Sequence, residues 1–413
     1  MHRSSSKPRP ITLPSDTPSG CQVTPTSFAP WPSYGPAEIE AVTQVLQGGG
    51  VNYWTGSEGK AFEAEFAVAT GRRHGIALAN GTVALELALH AFGIGVGDEV
   101  VTSSRTFIAS ASAAVMRGAT PVIADVDRDS QNVTAETLAA QITPRTRAFV
   151  VVHLAGWPCD MPRIMQLAAE HGIIVIEDCA QACGASLNGS PVGSFGHAAA
   201  FSFCQDKIIT TGGEGGMLVL DDDEAFHRAW AYKDHGKSYE AVFHREHPPG
   251  YRWLHESFGT NMRMTEPQAA IGRIQLAMLE DSVAARNRHA AVLHESIKDV
   301  VGIRVAVAPQ GIGHAYYKFY AFVEPGALRG GWCRDRVIQA VVEAGVPCFS
   351  GSCPEIYREG AFCRVGLGPV KRHPVAAELG ETSLMLLVHP TLSDDAMKFT
   401  GDIIKSVMAV ARR

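Results

Sequence analysis

Ile173-Ile174-Val175-Ile176-Glu177-Asp178 is an unbroken apolar run that ends in two acids. Consecutive branched apolar residues leave no polar face for water, so the run reads as a strand covered on both sides, as in a parallel sheet. Working outward, the same kind of strand is predicted at 74–79, 99–102, 121–124, 147–152, 198–203 and 216–220. Helical periodicity separates most of them, over 60–70, 82–92, 108–117 and 161–170. Short buried strands alternating with helices of about ten residues predict an α/β fold with a mainly parallel, doubly covered sheet.

Beyond Asp221 the alternation weakens. Residues 230–262 are aromatic and histidine-rich and read as loop. A helix is predicted from 265 to 279, continuing to about 298. A second α/β unit then begins near Gly302, with strands 303–306 and 318–323, a helix over 333–344 and a terminal helix over 394–411. The Ser-, Pro- and Thr-rich residues 1–30 lack an apolar core and read as a disordered tail. The expected division is therefore a tail (1–30), a large domain (31–290) and a smaller C-terminal α/β domain (291–413).

A chain of 413 residues with 46% hydrophobic and 19% charged residues suits an ordinary soluble protein of two domains. Its net charge of −6 gives no general attraction to nucleic acid or anionic membranes. No apolar run approaches the roughly 20 residues that span a bilayer. The nine cysteines are odd in number and scattered, which favours a reducing cytoplasm. Cys179 and Cys183 lack a second pair or a histidine cluster and read as buried thiols, so no metal site is expected. No Gly-x-Gly-x-x-Gly turn follows the first strand, and Gly93-Ile94-Gly95-Val96-Gly97 follows a helix instead, which sets aside a dinucleotide-binding dehydrogenase.

The chemistry gathers around Ser202-Phe203-Cys204-Gln205-Asp206-Lys207 and the glycine run Gly212-Gly213-Glu214-Gly215-Gly216. A lysine beside an aromatic residue means little alone. With glycines closing the loop and Asp178 at a strand end, it predicts a pyridoxal-phosphate site. The amine can form a Schiff base with the cofactor aldehyde, and a buried carboxylate can hold the pyridine nitrogen protonated. Asn80-Gly81-Thr82, between a strand and a helix, offers a helix N-terminus to a phosphate, although by itself it is equally a plain N-cap. Gln181 can face the same cavity as Asp178, whereas Glu177 points the other way and reads as structural. Phe107 is placed to cover a planar ring, or simply to fill the core. In Asn261-Met262-Arg263-Met264, Asn261 and Arg263 are donors able to reach a phosphate or a neighbouring subunit, and Thr265 with Gln268 starts a helix.

Together these stretches, with Asn52-Tyr53-Trp54-Thr55-Gly56 and Thr106-Phe107, resemble the DegT–StrS type sugar aminotransferases, which are PLP-dependent and have the aspartate-aminotransferase-like fold (PLP fold type I). The resemblance runs from about Trp31 to the C-terminus. It implies that Lys207 binds the cofactor and shuttles a proton, that Asp178 holds the pyridine nitrogen, and that Gln181 lies near the ring hydroxyl. It further implies phosphate contacts from Gly81, Thr82 and Ser202, and stacking by Phe107. Asn261 would reach the phosphate in the other subunit, making a homodimer the functional unit. Trp54, Thr55 and His153 are candidates for the substrate side. The segment from Cys348 to Tyr357 departs from the usual pattern near the substrate.

The leading expectation is an aminotransferase moving nitrogen from glutamate or glutamine to a keto-sugar, most simply a nucleotide-linked one. Variants are a keto-cyclitol or an unactivated keto-sugar as acceptor. A PLP-dependent sugar dehydratase or lyase is the second class, and retention of the lysine argues against it. A non-enzymatic binding protein on the same fold is the third, and it would not need Lys207, Asp178 and the phosphate groups together.

Overall fold

The computed structural model describes residues 28–413. Most of the expected tail therefore lies outside the described residues. Its last part does not behave as tail: Phe28 packs against the second core described below, and Pro30 O accepts a hydrogen bond from Thr391 Oγ1 at 3.0 Å.

Seven strands form the main sheet: β1 (His74–Leu78), β2 (Glu99–Ser103), β3 (Thr120–Ala124), β4 (Thr146–Val152), β5 (Ile174–Asp178), β6 (Ala198–Ser202) and β7 (Gly216–Leu220). Their order is β1-β7-β6-β5-β4-β2-β3. β7 runs antiparallel to both β1 and β6, and every other pair is parallel. The α/β class with a mainly parallel sheet is as the strand pattern predicts.

The double covering is visible residue by residue along β4. Ala148 and Val150 join the core under helices Gly81–Ala91 and Asp223–Lys233. Phe149 and Val151 join the core on the opposite face, with Met161, Ile164 and Ala168 of helix Met161–His171. Successive side chains of a strand point to opposite faces, so a strand buried on both must be apolar throughout.

A second sheet is antiparallel, in the order Ile303–Arg304, Phe319–Val323, Ser383–Leu386, Cys348–Phe349. Its core includes Leu293 and Ile297 from helix Leu279–Ile297, Val337 and Val341 from helix Arg334–Glu343, and Ile404 and Val407 from helix Asp394–Ala411. Ile312–Gly313 leaves this unit to pair with Ser186–Leu187, which stitches it to the large sheet's side of the molecule.

Three local readings are corrected. Residues 230–262 are not loop throughout, because helix Asp223–Lys233 reaches into them and Tyr239–Phe243 is a short helix. The first is capped by Asp222, which accepts the Ala225 N–H, and buries Ala225, Ala229 and Trp230; alanines carry little periodic signal. The helix expected over 265–298 is two, Glu266–Ala277 and Leu279–Ile297, joined at Met278. Helix Pro36–Gly48, which the sequence reading passed over, opens the described fold.

Candidate active site

Parallel strands that end together leave a crevice at their carboxyl edge. Here Thr106 follows β2, Val152 ends β4, Asp178 ends β5 and Ser202 ends β6, and all four line one cavity of about 710 Å³. Lys207, Gly81, Thr82, Phe107 and Gln181 line it too.

One end of the cavity is a helix N-terminus. Asn80 caps helix Gly81–Ala91 by accepting the Val83 N–H at 3.0 Å, which leaves the N–H groups of Gly81 and Thr82 in the unpaired first turn. The helix start is pressed tightly on the sheet. A Cβ on Gly81 would stand 2.7 Å from Ser202 Cβ, and one on Gly216 would stand 2.4 Å from the Asn80 carbonyl. Both glycines are thus required by close approach, and the result is a cradle of backbone donors beside the Ser202 hydroxyl.

At β5 the cavity meets Asp178, which is 6% exposed. Its Oδ2 accepts from Ser110 Oγ at 2.7 Å and its Oδ1 from Ala180 N at 3.1 Å. Both donors are neutral, and no cation among the described residues stands within ion-pair distance. Burial pushes the carboxyl above its ordinary range, against the pull of Ser110, Ala180 and the Lys207 charge. A protonated ring nitrogen would supply the missing cation, and the cradle would take a phosphate. The donor set therefore fits pyridoxal phosphate.

Lys207 is mostly buried on the cavity wall, with Nζ 3.4 Å from Tyr317 Oη and 3.8 Å from Asp206 Oδ1. Gln181 lines the cavity while its Oε1 accepts the Ala155 N–H at 2.8 Å. Phe107 is 68% exposed, a large aromatic face left open at the mouth.

Other predicted residues lie elsewhere. His153 is fully buried and off the cavity wall. Its Nδ1 accepts from Cys159 N at 2.9 Å, so Nε2–H donates to Glu177 Oε2 at 3.0 Å, and both ring nitrogens are spent on the protein. The expectation that it meets substrate is thereby corrected. Trp54 donates from Nε1 to Asp234 at 2.8 Å, and Thr55 bonds Asn52 O at 3.1 Å; neither lines the cavity of its own chain. Asn261 is exposed and pairs in a bridge with Asp234, also outside that cavity.

Glu177 has the structural surroundings expected of it. It accepts from the backbone N–H groups of Gly193, Phe195 and Gly196 at 2.7–2.9 Å, and lies 3.7 Å from Arg72. His153, Glu177 and Cys179 come close enough to suggest a metal cluster. Burial holds the Cys179 thiol well above its ordinary range and both His153 nitrogens are occupied, so the donor set is wrong for an ion.

Sequence reasoning missed Ser110 on the cavity wall and did not pair Tyr317 with Lys207; Ser352 and Cys353 belong to the 348–357 segment that it sets near the substrate. Ser110 had a faint signal, a serine four residues after Thr106, and the two hydroxyls are 2.8 Å apart. The other three arrive from the C-terminal unit, where no local spacing ties them to Lys207.

The chain is similar to an aminotransferase from Psychrobacter cryohalolentis of known structure, with 52% identity, a TM-score of 0.91, and coverage of 93% of this chain and 99% of that one. It is 36% identical to the UDP-N-acetyl-3-dehydro-alpha-D-glucosamine 3-aminotransferase of Acidithiobacillus ferrooxidans, across 86% of this chain and 89% of that protein. It also superposes on S. venezuelae DesV, solved in complex with a ketimine intermediate, with 31% identity, a TM-score of 0.79, and coverage of 89% of this chain and 93% of that one. The family model for DegT/DnrJ/EryC1/StrS aminotransferases matches residues 32–405. With that match over most of its length, and with a lysine, a buried carboxylate and a helix terminus converging on one cavity, the chain belongs to the DegT/DnrJ/EryC1/StrS aminotransferase family, whose members work with pyridoxal phosphate.

Proposed function

We propose that this chain transfers an amino group from glutamate or glutamine to the ketone of a nucleotide-linked sugar, in the making of an amino sugar. The observation that carries the reading is the convergence of Lys207, Asp178 and the Gly81–Thr82 helix start on one cavity, in a chain similar to a UDP-sugar 3-aminotransferase. When bound, the cofactor supplies an electron sink for the carbon that gains or loses nitrogen.

The residues divide the remaining work. Lys207 anchors the cofactor and afterwards carries a proton at Nζ. Asp178 keeps a proton on the pyridine nitrogen by offering it a negative charge in a dry site. Gly81, Thr82 and Ser202 hold the phosphate, Gln181 orients the ring hydroxyl, and Phe107 covers the ring face and excludes water. The lyase alternative has no comparable support, since the chain keeps Lys207 and the Psychrobacter and Acidithiobacillus relatives are named as aminotransferases.

The functional unit in this reading is a homodimer. Trp54, Thr55 and Asn261 stand outside their own cavity, where Trp54 and Thr55 could contact substrate, and Asn261 phosphate, only in a partner's site. Trp253 and Phe258 are 81% and 100% exposed, aromatic surface that a partner subunit would cover. The division into domains falls near residue 290, within helix Leu279–Ile297, and the setting is the cytoplasm. Among the described residues no helix is long and apolar enough to cross a membrane.

The test is an absorbance spectrum of the purified protein before and after excess L-glutamate, followed by assays with keto-sugars in the presence of free UDP or TDP. The reading expects glutamate to bleach the visible band of lysine-bound cofactor, and a nucleoside diphosphate to compete with the sugar. A band that neither glutamate nor glutamine alters would count against transamination, and indifference to both nucleotides would point to an unactivated sugar or cyclitol.

A further inference from the structure

Beside Lys207 stands a cluster that the cofactor-binding roles leave unassigned. Tyr317 lines the cavity, with its Oη 3.4 Å from Lys207 Nζ and its ring centroid 4.8 Å from the same nitrogen. That hydroxyl donates a hydrogen bond to Asp206 Oδ2. Asp206 Oδ1 is itself 3.8 Å from Lys207 Nζ. Lys318 joins the same pair, its Nζ 3.9 Å from Asp206 Oδ2 and 4.6 Å from the Tyr317 centroid. A single aromatic ring and one carboxylate thus serve two lysines.

Tyr317 is held from behind as well as in front. Its N–H donates to Ala155 O at 2.9 Å, and its carbonyl accepts from Arg286 Nη1 at 3.3 Å. The turn that receives it is shaped for close approach. Ala155 has φ +58°, and at Gly156, with φ +93°, a Cβ would stand 3.1 Å from Tyr317 N. Gln181 accepts the N–H of Ala155, so the turn links a residue on the cofactor side of the cavity to Tyr317. A non-glycine residue in the left-handed region is strained and persists where its surroundings demand it.

We propose that Tyr317, held by Asp206, is a positioning residue for Lys207: it fixes Nζ at one point on the cavity wall, beside the Asp206 carboxylate. The consequence for catalysis rests on the reading of Lys207 as the cofactor-bearing lysine. The placement does not. The charged groups around Lys207 are Asp206 and Lys318 in this cluster, Asp178 and Glu214 on the cavity wall, and Arg286 behind Tyr317. Burial lowers Lys318 to about 8, with Arg286 and Lys207 pushing the same way against Asp206. Lys318 therefore gives up its charge at mildly alkaline pH, leaving Asp206 to Lys207 alone. Tyr317 stays protonated and so remains the donor to Asp206, because burial and the adjacent carboxylate both raise it.

The test reads Lys207 directly. The full chain, stripped of cofactor, is acetylated with trace acetic anhydride across neutral and alkaline pH, and modification of Lys207 is followed by mass spectrometry. Removing the Asp206 charge in Asp206→Asn should raise the rate of Lys207 acetylation at neutral pH about three- to tenfold, and Asp206→Glu should restore most of the wild-type rate. In a Tyr317→Phe background the same Asp206→Asn change should raise that rate by less than half as much, because the carboxylate is no longer tethered beside Nζ. In the loaded enzyme, Tyr317→Phe should lower kcat about tenfold with KM little changed. An Asp206→Asn acetylation rate within about 1.5-fold of wild type, or an equal change in both backgrounds, overturns the proposal. Asp206 is half exposed, so its asparagine variant does not threaten the core. Because acetylation needs no substrate, a chain that aminates none of the sugars tried still passes or fails here.

Discussion

On one side of β5, Glu177 accepts three backbone N–H groups and the His153 ring, with Arg72 behind it. On the other, Asp178 receives a serine hydroxyl and one N–H, and faces a cavity. The two carboxylates are neighbours on one strand, and both are buried, Glu177 at 0% exposed and Asp178 at 6%. Burial works against both charges, yet the His153 and backbone hydrogen bonds outweigh it for Glu177 and hold that carboxyl below its usual range, while Asp178 is left above it. A fully bonded buried carboxylate belongs to the scaffold. An underbonded one at a strand end is waiting for a ligand, and the difference between them is a more specific signature of the site than the cavity's size.

The largest effect should come from the cavity side without touching the scaffold. Lys207→Ala is expected to lower turnover by roughly a thousandfold or more while the melting temperature of the cofactor-free chain moves by no more than a few degrees. Turnover near wild type would remove Lys207 from its proposed role. Asp178→Asn should follow, with a loss of about a hundredfold in kcat, because a neutral amide cannot hold the pyridinium charge. Its cofactor-free stability should equal or exceed wild type, since the change removes a charge that the site does not satisfy.

Glu177→Gln should reverse the pattern. It exchanges a carboxylate bonded on both oxygens for an amide that cannot accept all those donors, at a cost of about 2–4 kcal/mol. Activity per folded molecule should change little. If the folded enzyme instead lost activity as Asp178→Asn does, the division between scaffold and site would be wrong.

The smallest expected effect is in the pH dependence of stability, and there the two variants should slope in opposite senses. A carboxyl raised in the fold destabilises it progressively as pH rises from the ordinary carboxylate range through the raised value. The advantage of Asp178→Asn over wild type in the cofactor-free chain should therefore appear over that acidic window and persist at neutral pH. A carboxyl lowered in the fold stabilises it above the ordinary range and loses that contribution as pH falls through the lowered value. The deficit of Glu177→Gln should accordingly shrink in acid. Denaturant unfolding of the three proteins between acidic and neutral pH measures both slopes.

Much of this was legible before any coordinates. The strands of the main sheet follow from apolar runs bounded by turns, and each predicted main-sheet strand lies within two residues of an observed one at either end. The failures have local causes. Helix Asp223–Lys233 hides because its buried face is built largely on alanine, and the break at Met278 hides because one periodicity runs through both helices. His153, a substrate-side candidate only through the family resemblance, follows a strand that ends at the cavity, but its side chain turns into the interior to serve Glu177.

The amino-acid sequence alone determined the layered α/β class and the pairing of Lys207 with Asp178, because strand burial and turn chemistry are written in neighbouring residues. It could also separate Glu177 from Asp178, since successive side chains of a strand must point apart. Only the tertiary structure decided the strand order, the press of Gly81 against Ser202, and the arrival of Tyr317 beside Lys207, 110 residues away along the chain. Such contacts depend on how separately formed elements pack, and no spacing within a segment records which distant segment will fill the space beside it.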